Sequence, residues 1–195
     1  MADNHGIPIH PATPPGMYRV EVGMYDPETD QRLTTPEGAS QVWLEPLAVK
    51  RPAAPAPIPA MGMQHVAGAK FDELTLLGYD AYQLGFAHQP EVPLQPGDTL
   101  HISLYWRADA QPRGDWRVAL ALVASNGQDV AQLTAEPVMD YSTSNWQAGD
   151  TWRGQFNLGI PGDAPAGRYR LQVQPISPGG MPFDPFLSEP LAVQP

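Results

Sequence analysis

The last part of this chain occurs twice in its sequence. Residues 14–22 read PPGMYRVEV and return at 165–173 as PAGRYRLQV, while EPLAV at 45–49 returns unchanged at 189–193. The first pair of segments is offset by 151 positions and the second by 144, so the later copy has a connection seven residues shorter. A period this long indicates duplicated domains and not a solenoid of short repeats.

The first copy is too short to be a whole domain. We therefore interpret the chain as the tail of one domain followed by one complete domain. Residues 1–13 are predicted to be a flexible lead, and residues 14–51 a partial β-repeat equivalent to the terminal hairpin of a sandwich. Residues 52–61 are predicted to be a proline-rich linker, which should be extended and semi-rigid. Residues 62–195 are predicted to form the complete β-sandwich domain.

Short apolar runs bounded by proline and glycine predict many strands and almost no helix. No segment of ten or more residues has a 3.6-residue apolar period. Asn126-Gly127 is a strong hairpin turn signal, Gly78 is expected to bend its strand, and Pro46 interrupts the second strand of the partial repeat. Strands are predicted at 18–24, 42–49, 71–82, 100–107, 116–122, 128–134, 152–158, 169–173 and 187–193.

The fold class predicted from this pattern is all-β, with an immunoglobulin-like β-sandwich preceded by a partial, two-strand copy of the same repeat. About seven strands in the second part suit such a sandwich. Tyr169 follows a turn at the start of the penultimate strand, the place of a tyrosine corner, whose hydroxyl bonds the preceding turn. Tyr18 holds the matching place in the partial copy. The alternative is a tyrosine that is merely half-buried in its strand.

Composition excludes several classes of function. The net charge of −10 argues against nucleic acid and anionic lipid as partners. The absence of cysteine excludes disulfides, thiolate zinc sites and cysteine nucleophiles. No stretch approaches the ~20 apolar residues that cross a bilayer, and the N-terminus has no signal-peptide pattern. We therefore expect no membrane insertion by this chain itself.

The chain resembles a family of bacterial extracytoplasmic β-sandwich repeats. These repeats follow the membrane region of proteins similar to dolichyl-phosphate-mannose-type glycosyltransferases. The motifs that carry the resemblance are LLGY at 76–79, PGDTL at 96–100, LYWR at 104–107, TSNW at 143–146, Gly149-Asp150, Ile160-Pro161, PAGRYRL at 165–171 and, in the partial copy, GMYRVEVGMYDPET at 16–29 with Arg32-Leu33. The resemblance implies a sandwich fold, a location outside the cytoplasm and no catalytic residues in the sandwich.

The sequence departs from that family at three points. VALAL at 118–122 stands where the family has an aromatic-rich strand ending in a histidine-leucine pair. QPISPGG at 174–180 replaces the tyrosine-aspartate hairpin that follows the penultimate strand. The membrane region is absent, so the resemblance gives little support to a role tied to a glycosyltransferase.

No catalytic, cofactor-binding or metal site is predicted. Asp26, Glu28 and Asp30 have the spacing that begins a calcium loop, but the required glycine and closing glutamate are missing. No two of the five histidines share a metal-ligand spacing within one predicted element. The remaining candidates are loop carboxylates, interpreted as solvated, and serines without an elbow motif: Asp109, Asp115, Asp140, Asp150, Ser125, Ser142 and Ser144.

The loop at 139–147 offers the only candidate ligand contacts, Tyr141 and Trp146. Aromatic rings next to short polar side chains can stack on and bond a sugar, so a glycan is an alternative partner. The competing interpretation, which we favour, is that Trp146 folds inward and closes one end of the sandwich, as a large apolar ring prefers.

The partial copy poses a physical problem, because a lone two-stranded hairpin is marginal in water. Its apolar face must pack on the second domain, pair with a second chain, or belong to a longer parent protein; we define this face by Tyr18, Val20, Val22, Val42 and Leu44. An unpaired sheet edge also invites strand addition. The expected function is therefore a non-enzymatic accessory or interaction module, with a protein partner or self-association through the hairpin at 17–49. A carbohydrate-binding module is the alternative, and a glycan-active enzyme a distant third.

Overall fold

The computed structural model describes residues 6–26, 28–29, 31–87 and 89–194. The chain divides into two compact units, one formed by residues 14–51 and the other by residues 1–13 together with 52–195. Both units are built from antiparallel strands, and two short 3-10 turns, Ile58–Met61 and Thr143–Asn145, are the helical segments of the described part. The protein is therefore an all-β protein, as predicted.

The smaller unit is a hairpin of four short strands. Its first arm carries β1 and β2 and its second arm β3 and β4; β1 pairs with β4, and β2 with β3. Glu45 and Pro46 interrupt the second arm, at the proline where the sequence predicts a break. The bounds are β1 (Gly16–Tyr18), β2 (Glu21–Val22), β3 (Val42–Trp43) and β4 (Leu47–Val49).

The larger unit is a β-sandwich. One sheet has the strand order β10-β7-β6-β5. The other has the order β12-β11-β8-β9, and β13 also pairs with β11. The bounds are β5 (His65–Phe71), β6 (Leu74–Gln83), β7 (Thr99–Ala108), β8 (Arg117–Ala124), β9 (Asp129–Ala135), β10 (Thr151–Gly159), β11 (Gly167–Ile176), β12 (Phe186–Leu187) and β13 (Leu191–Val193).

Four tryptophans fill the space between the two sheets, together with alternating leucines, isoleucines and valines. Trp106, Trp116, Trp146 and Trp152 are all buried. The fifth tryptophan, Trp43, lies in the smaller unit and is half exposed. Burial of such rings dominates the energy of a core, so the sandwich holds nearly all of the chain's aromatic stabilisation.

The sandwich has nine strands in the described residues, where the sequence predicts about seven. The predicted strand at 71–82 corresponds to β6, and the strand before it, β5, was not predicted; a turn at Asp72 and Glu73 joins the two. The last predicted strand divides, into β12 and β13. The pairing of β6 with β7 shifts register between Leu76 and Gly78, next to the predicted bend, and a Cβ on Gly78 would lie 2.3 Å from the His65 carbonyl oxygen.

Part of the segment predicted as a flexible lead packs on the sandwich. His10 donates from Nε2 to the Met61 carbonyl at 2.9 Å and accepts at Nδ1 from the Ala12 amide at 3.2 Å. The Ala12 carbonyl accepts from the Arg153 amide of β10 at 2.8 Å. Ala12 is buried in a small cluster with Met61, Leu77 and Tyr105. These contacts extend the folded unit beyond the predicted start of the domain.

Candidate interaction site: the terminal hairpin

The hairpin of the smaller unit repeats the strand pairing of the last strands of the sandwich, residue for residue. Every pair between the strands β1 to β4 becomes a pair of the sandwich when 151 is added to the first number and 144 to the second. The hairpin pairs are Gly16–Val49, Met17–Ala48, Tyr18–Leu47, Glu21–Trp43 and Val22–Val42. The sandwich pairs are Gly167–Val193, Arg168–Ala192, Tyr169–Leu191, Gln172–Leu187 and Val173–Phe186.

The backbone between these pairs is also repeated. The Leu44 amide donates to the Val20 carbonyl at 2.9 Å, and the Ser188 amide donates to the Leu171 carbonyl at the same distance. Both tyrosines form the predicted corner: the Tyr18 hydroxyl donates to the Pro14 carbonyl at 2.8 Å, and the Tyr169 hydroxyl to the Pro165 carbonyl at 2.5 Å. The two segments that share sequence motifs therefore also share strand pairing and hydrogen bonds.

The seven additional residues of the first copy lie in the connection between its two arms. The Leu33 amide donates to the Met24 carbonyl, and the Phe183 amide donates to the Pro175 carbonyl in the same way. One extra residue falls in the turn before Leu33, and six fall between Leu33 and Val42. The insertion thus leaves the paired part of the hairpin unchanged.

The two copies differ in what covers them. Tyr169, Leu171 and Val173 are buried in the sandwich core. Their counterparts are more exposed: Val22 is 45 % exposed where Val173 is 0 % exposed. Leu44 is 49 % exposed where its counterpart Ser188 is 1 % exposed. The apolar face defined above is therefore largely open to solvent.

The edge of the first arm differs in the same way. In the sandwich, eight successive residues of β11 pair with β8, from Tyr169 with Ala124 to Ile176 with Arg117. In the hairpin, β1 and β2 pair only with β4 and β3 among the described residues. An open edge of this kind presents unpaired backbone donors and acceptors, which is the geometry that a further strand can extend.

The opposite face of the hairpin is held by a polar cluster around Arg32. Its guanidinium donates to the Tyr25 hydroxyl at 2.7 Å, to Gln41 Oε1 at 3.0 Å and to Glu21 Oε1 at 3.3 Å. The guanidinium also lies over the Tyr25 ring, 5.2 Å from its centre. These contacts bridge the two arms and their connection on the side away from the apolar face.

A further short match, which the sequence analysis did not recognise, lies nearer the N-terminus. Gly6-Ile7-Pro8 matches Gly159-Ile160-Pro161, which ends β10, with an offset of 153. Ile7 is exposed, whereas Ile160 is buried in the core. The sequence analysis missed this match because it is only three residues long and its offset differs by two positions from that of the neighbouring match.

The loop at 139–147 lies against one end of the sandwich. Trp146 is 0 % exposed, and its Nε1 donates to the Tyr141 carbonyl at 3.2 Å. Thr143 holds the loop down, because its Oγ1 accepts from the Trp116 amide and donates to the Gly114 carbonyl. Tyr141 is half-buried, with its ring edge-on to Trp152. In this placement the Trp146 ring is enclosed, which is the inward packing that the sequence analysis favours over a ligand contact.

The candidate carboxylates hold loops in place. Asp150 Oδ2 accepts from the Gln147 amide at 2.7 Å, and Asp115 Oδ1 accepts from the Ser144 amide at 3.1 Å. Hydrogen bonds from Ser144 hold the pKa of Asp115 below its ordinary value. Burial raises the pKa of Asp109, but hydrogen bonds from Thr75 and Arg107 outweigh it and leave that pKa lowered.

Within the described ranges, no three histidine, aspartate or glutamate residues cluster so that they could hold a metal ion. Two of the five histidines, His5 and His88, lie outside those ranges, as does Asp30 of the calcium-loop spacing. The described part of the chain also contains no helix long and apolar enough to cross a membrane.

Comparison with known proteins supports the fold. No protein-family model matches the sequence, and no curated protein is detectably similar to it. Among solved structures, the C-terminal domain of Wzt matches with a TM-score of 0.50 and 14 % identity, over 63 % of this chain and 74 % of that one. BcpA, the major pilin subunit of Bacillus cereus, matches with a TM-score of 0.35 and 12 % identity, over 93 % of this chain and 65 % of that one. The first likeness agrees with the β-sandwich described above.

Proposed function

We propose that this protein is a non-enzymatic interaction module whose hairpin at 17–49 binds a protein partner by strand addition. The observation that carries the proposal is the contrast between two copies of one hairpin. In the sandwich copy, the inner face is buried and β8 pairs with the edge of β11. In the copy at 14–51, the equivalent face is exposed and no strand lies along the equivalent edge among the described residues. Exposed contiguous apolar surface next to an open strand edge is typical of interaction sites.

The same proposal assigns the sandwich a supporting role. Its loop carboxylates cap turns, its tryptophans fill the core, and the loop that suggested a glycan site packs inward. We place the module outside the cytoplasm, as an accessory to a larger assembly. The resemblance to extracytoplasmic sandwich repeats supports that location.

Selection of displayed peptides on the full chain tests the proposal. Nine-residue strands with alternating apolar residues should be enriched, and they should slow amide hydrogen exchange at residues 16–25. The double variant Val20→Asp, Val22→Asp should lose this binding, because two buried charges would face the partner. The matched control Arg19→Ala, on the outer face of the same strand, should keep it. Equal binding to the double variant, or peptides that protect only the sandwich, would overturn the proposal.

A further inference from the structure

The duplicated hairpin indicates what kind of partner fits its open side. We propose that the occupant is an incomplete β-sandwich of the same repeat, one that lacks its own terminal hairpin and presents a strand like β8. The proposal deepens the strand-addition function above and rests on it. It commits to a partner of defined chemistry, whereas strand addition alone would accept any strand.

The first argument is the identity of register. Five residue pairs and one intervening backbone hydrogen bond are shared by the two copies. Because the pairing on one edge of an antiparallel strand fixes which backbone groups point to the other edge, the open edge of residues 18–25 offers the same donors and acceptors as β11 offers to β8. A strand that fits β11 therefore fits residues 18–25.

The second argument is the match of side chains. In the sandwich, Tyr169 lies opposite Ala124, Leu171 opposite Leu122, and Val173 opposite Leu120. The hairpin has Tyr18, Val20 and Val22 at the three equivalent positions. A complementary strand therefore needs a small residue opposite the tyrosine and large apolar residues opposite the two valines, which is the alternation of β8 itself.

The third argument is that a lone strand would leave most of the open surface uncovered. In the sandwich, the hairpin is also held from the opposite sheet, where the Tyr79 hydroxyl accepts from the Glu189 amide at 2.8 Å. Its last strand is held at its far edge, where Leu94 accepts from the Gln194 amide at 2.8 Å and donates to the Ala192 carbonyl at 3.1 Å. A partner that supplies the strand, the contact from the opposite sheet and the contact at the far edge is an open sandwich. A single strand or a second hairpin cannot supply all of them.

Leu44 strengthens the case for an apolar occupant. Its counterpart Ser188 satisfies the Leu171 amide through Oγ at 2.9 Å and donates to the Glu189 carbonyl at 2.7 Å. Leucine cannot make these bonds, so the hairpin presents a more apolar inner face than the copy that is already covered. An exposed leucine at this position gains from burial only against apolar side chains.

Co-expression with a defined segment tests the proposal directly. The probe is a tagged segment of residues 62–163, which contains β5 to β10 and lacks the terminal hairpin; the other component is the full chain. We expect a one-to-one complex in which exchange at residues 16–25 slows. The Val20→Asp, Val22→Asp double variant should not form this complex, and the Arg19→Ala control should form it. Equal capture of the double variant would mean that the segment exchanges with β11–β13 of the sandwich, and this would overturn the proposal.

A peptide isolates the strand from the rest of the occupant. The probe carries residues 117–124 between flanking lysines, and the control has the same composition with its valines and leucines in one run and its alanines in another. The β8 peptide should slow exchange at residues 18–25 about tenfold at ten times its dissociation constant, whereas the control should not.

Failure of this inference and failure of the proposed function give different results. If selected strands of another pattern protect residues 16–25 while neither the β8 peptide nor the segment does so, strand addition stands and the repeat-type partner is wrong. If the full chain instead dimerises through its hairpin and the segment does not compete, the occupant is a second copy and the inference is likewise wrong. If nothing protects these residues, both proposals fail.

Discussion

Tyr18 and Tyr169 make the same hydrogen bond in two different surroundings. Each hydroxyl donates to the carbonyl four residues earlier, but Tyr169 is buried in the core and Tyr18 is only partly covered. Tyr169→Phe should lower the free energy of unfolding of the sandwich by about 1 kcal/mol, the usual net contribution of such a bond. Tyr18→Phe should leave that free energy unchanged, because residues 14–51 form a separate compact unit. Urea denaturation of the two variants measures both values, and equal losses would contradict the comparison.

For Trp146, a ligand-binding role and a core-packing role predict opposite effects of its removal on stability. Its ring is enclosed at one end of the sandwich, and its only polar atom is bonded to the Tyr141 carbonyl. Trp146→Ala should therefore destabilise the sandwich by about 3–5 kcal/mol, as for other buried aromatic residues. Thermal unfolding followed by near-ultraviolet circular dichroism provides the measurement. A variant that keeps wild-type stability would show that the ring is not part of the core.

The sequence around Trp146 was compatible with either outcome. An aromatic ring next to short polar residues can stack on a ligand or close a core. The choice depends on Thr143, whose hydroxyl bonds the Trp116 amide and the Gly114 carbonyl. These partners lie nearly 30 residues away in the chain, so neither spacing nor composition could reveal them.

At the scale of strands, Val22 and Val173 form a matched pair. Both are valines at equivalent positions of the two hairpin copies, yet Val173 is fully buried and Val22 is half exposed. Val173→Ala should cost about 2 kcal/mol of unfolding free energy, because two methyl groups leave a packed core. Val22→Ala should cost less than about 0.5 kcal/mol, as is usual for surface positions.

Chemical denaturation of the isolated chain measures both variants. The comparison also has a second use, because a bound partner should cover Val22. In the complex with the segment of residues 62–163, Val22→Ala should become costly for binding although it is silent in the free chain. A Val22→Ala variant as destabilised as Val173→Ala without any partner would show that the apolar face is already covered.

Strand prediction succeeded where large apolar residues alternate and failed where small ones do. β7 and β10 follow the predicted ranges within one or two residues, because leucine, isoleucine, phenylalanine and tryptophan mark their inner faces. β5 was missed, because two of its four inward residues are alanines and a glycine stands at its middle. The register of the hairpin, in contrast, follows from the sequence. The two offsets between the repeated segments are also the offsets between the paired residues of the two copies.

At the scale of the whole chain, the compact unit that holds the sandwich includes residues on both sides of the hairpin unit. The resemblance between the two copies marks residues 14–51 as a unit, and the structure divides the chain at the same place. The docking of residues 10–12 was not predictable, since it joins the His10 imidazole to the Met61 carbonyl and the Ala12 carbonyl to the Arg153 amide. Contacts to backbone groups of a distant segment leave no trace in the identity of its residues.

The docked N-terminal segment should respond to pH through His10. Burial lowers the pKa of this imidazole below its ordinary value, and the Arg153 charge lowers it further, while the bond to the Met61 carbonyl and the Asp80 charge oppose the shift. The docked form is neutral, with Nε2 donating to Met61 and Nδ1 accepting from Ala12. Protonation would place a second donor against the Ala12 amide and break that bond.

Because the undocked histidine binds a proton more readily, docking should be fully stable above about pH 6.5 and should weaken as the pH falls through the lowered value. Exchange of the Arg153 amide, which donates to the Ala12 carbonyl, reports this change. Its protection should fall between about pH 7 and about pH 5, while amides in β7 remain protected. His10→Gln should make the Arg153 protection independent of pH over that range, and the matched control His65→Gln should leave the dependence in place. Constant protection of Arg153 in the unmodified chain would show that the imidazole is not the group that controls docking.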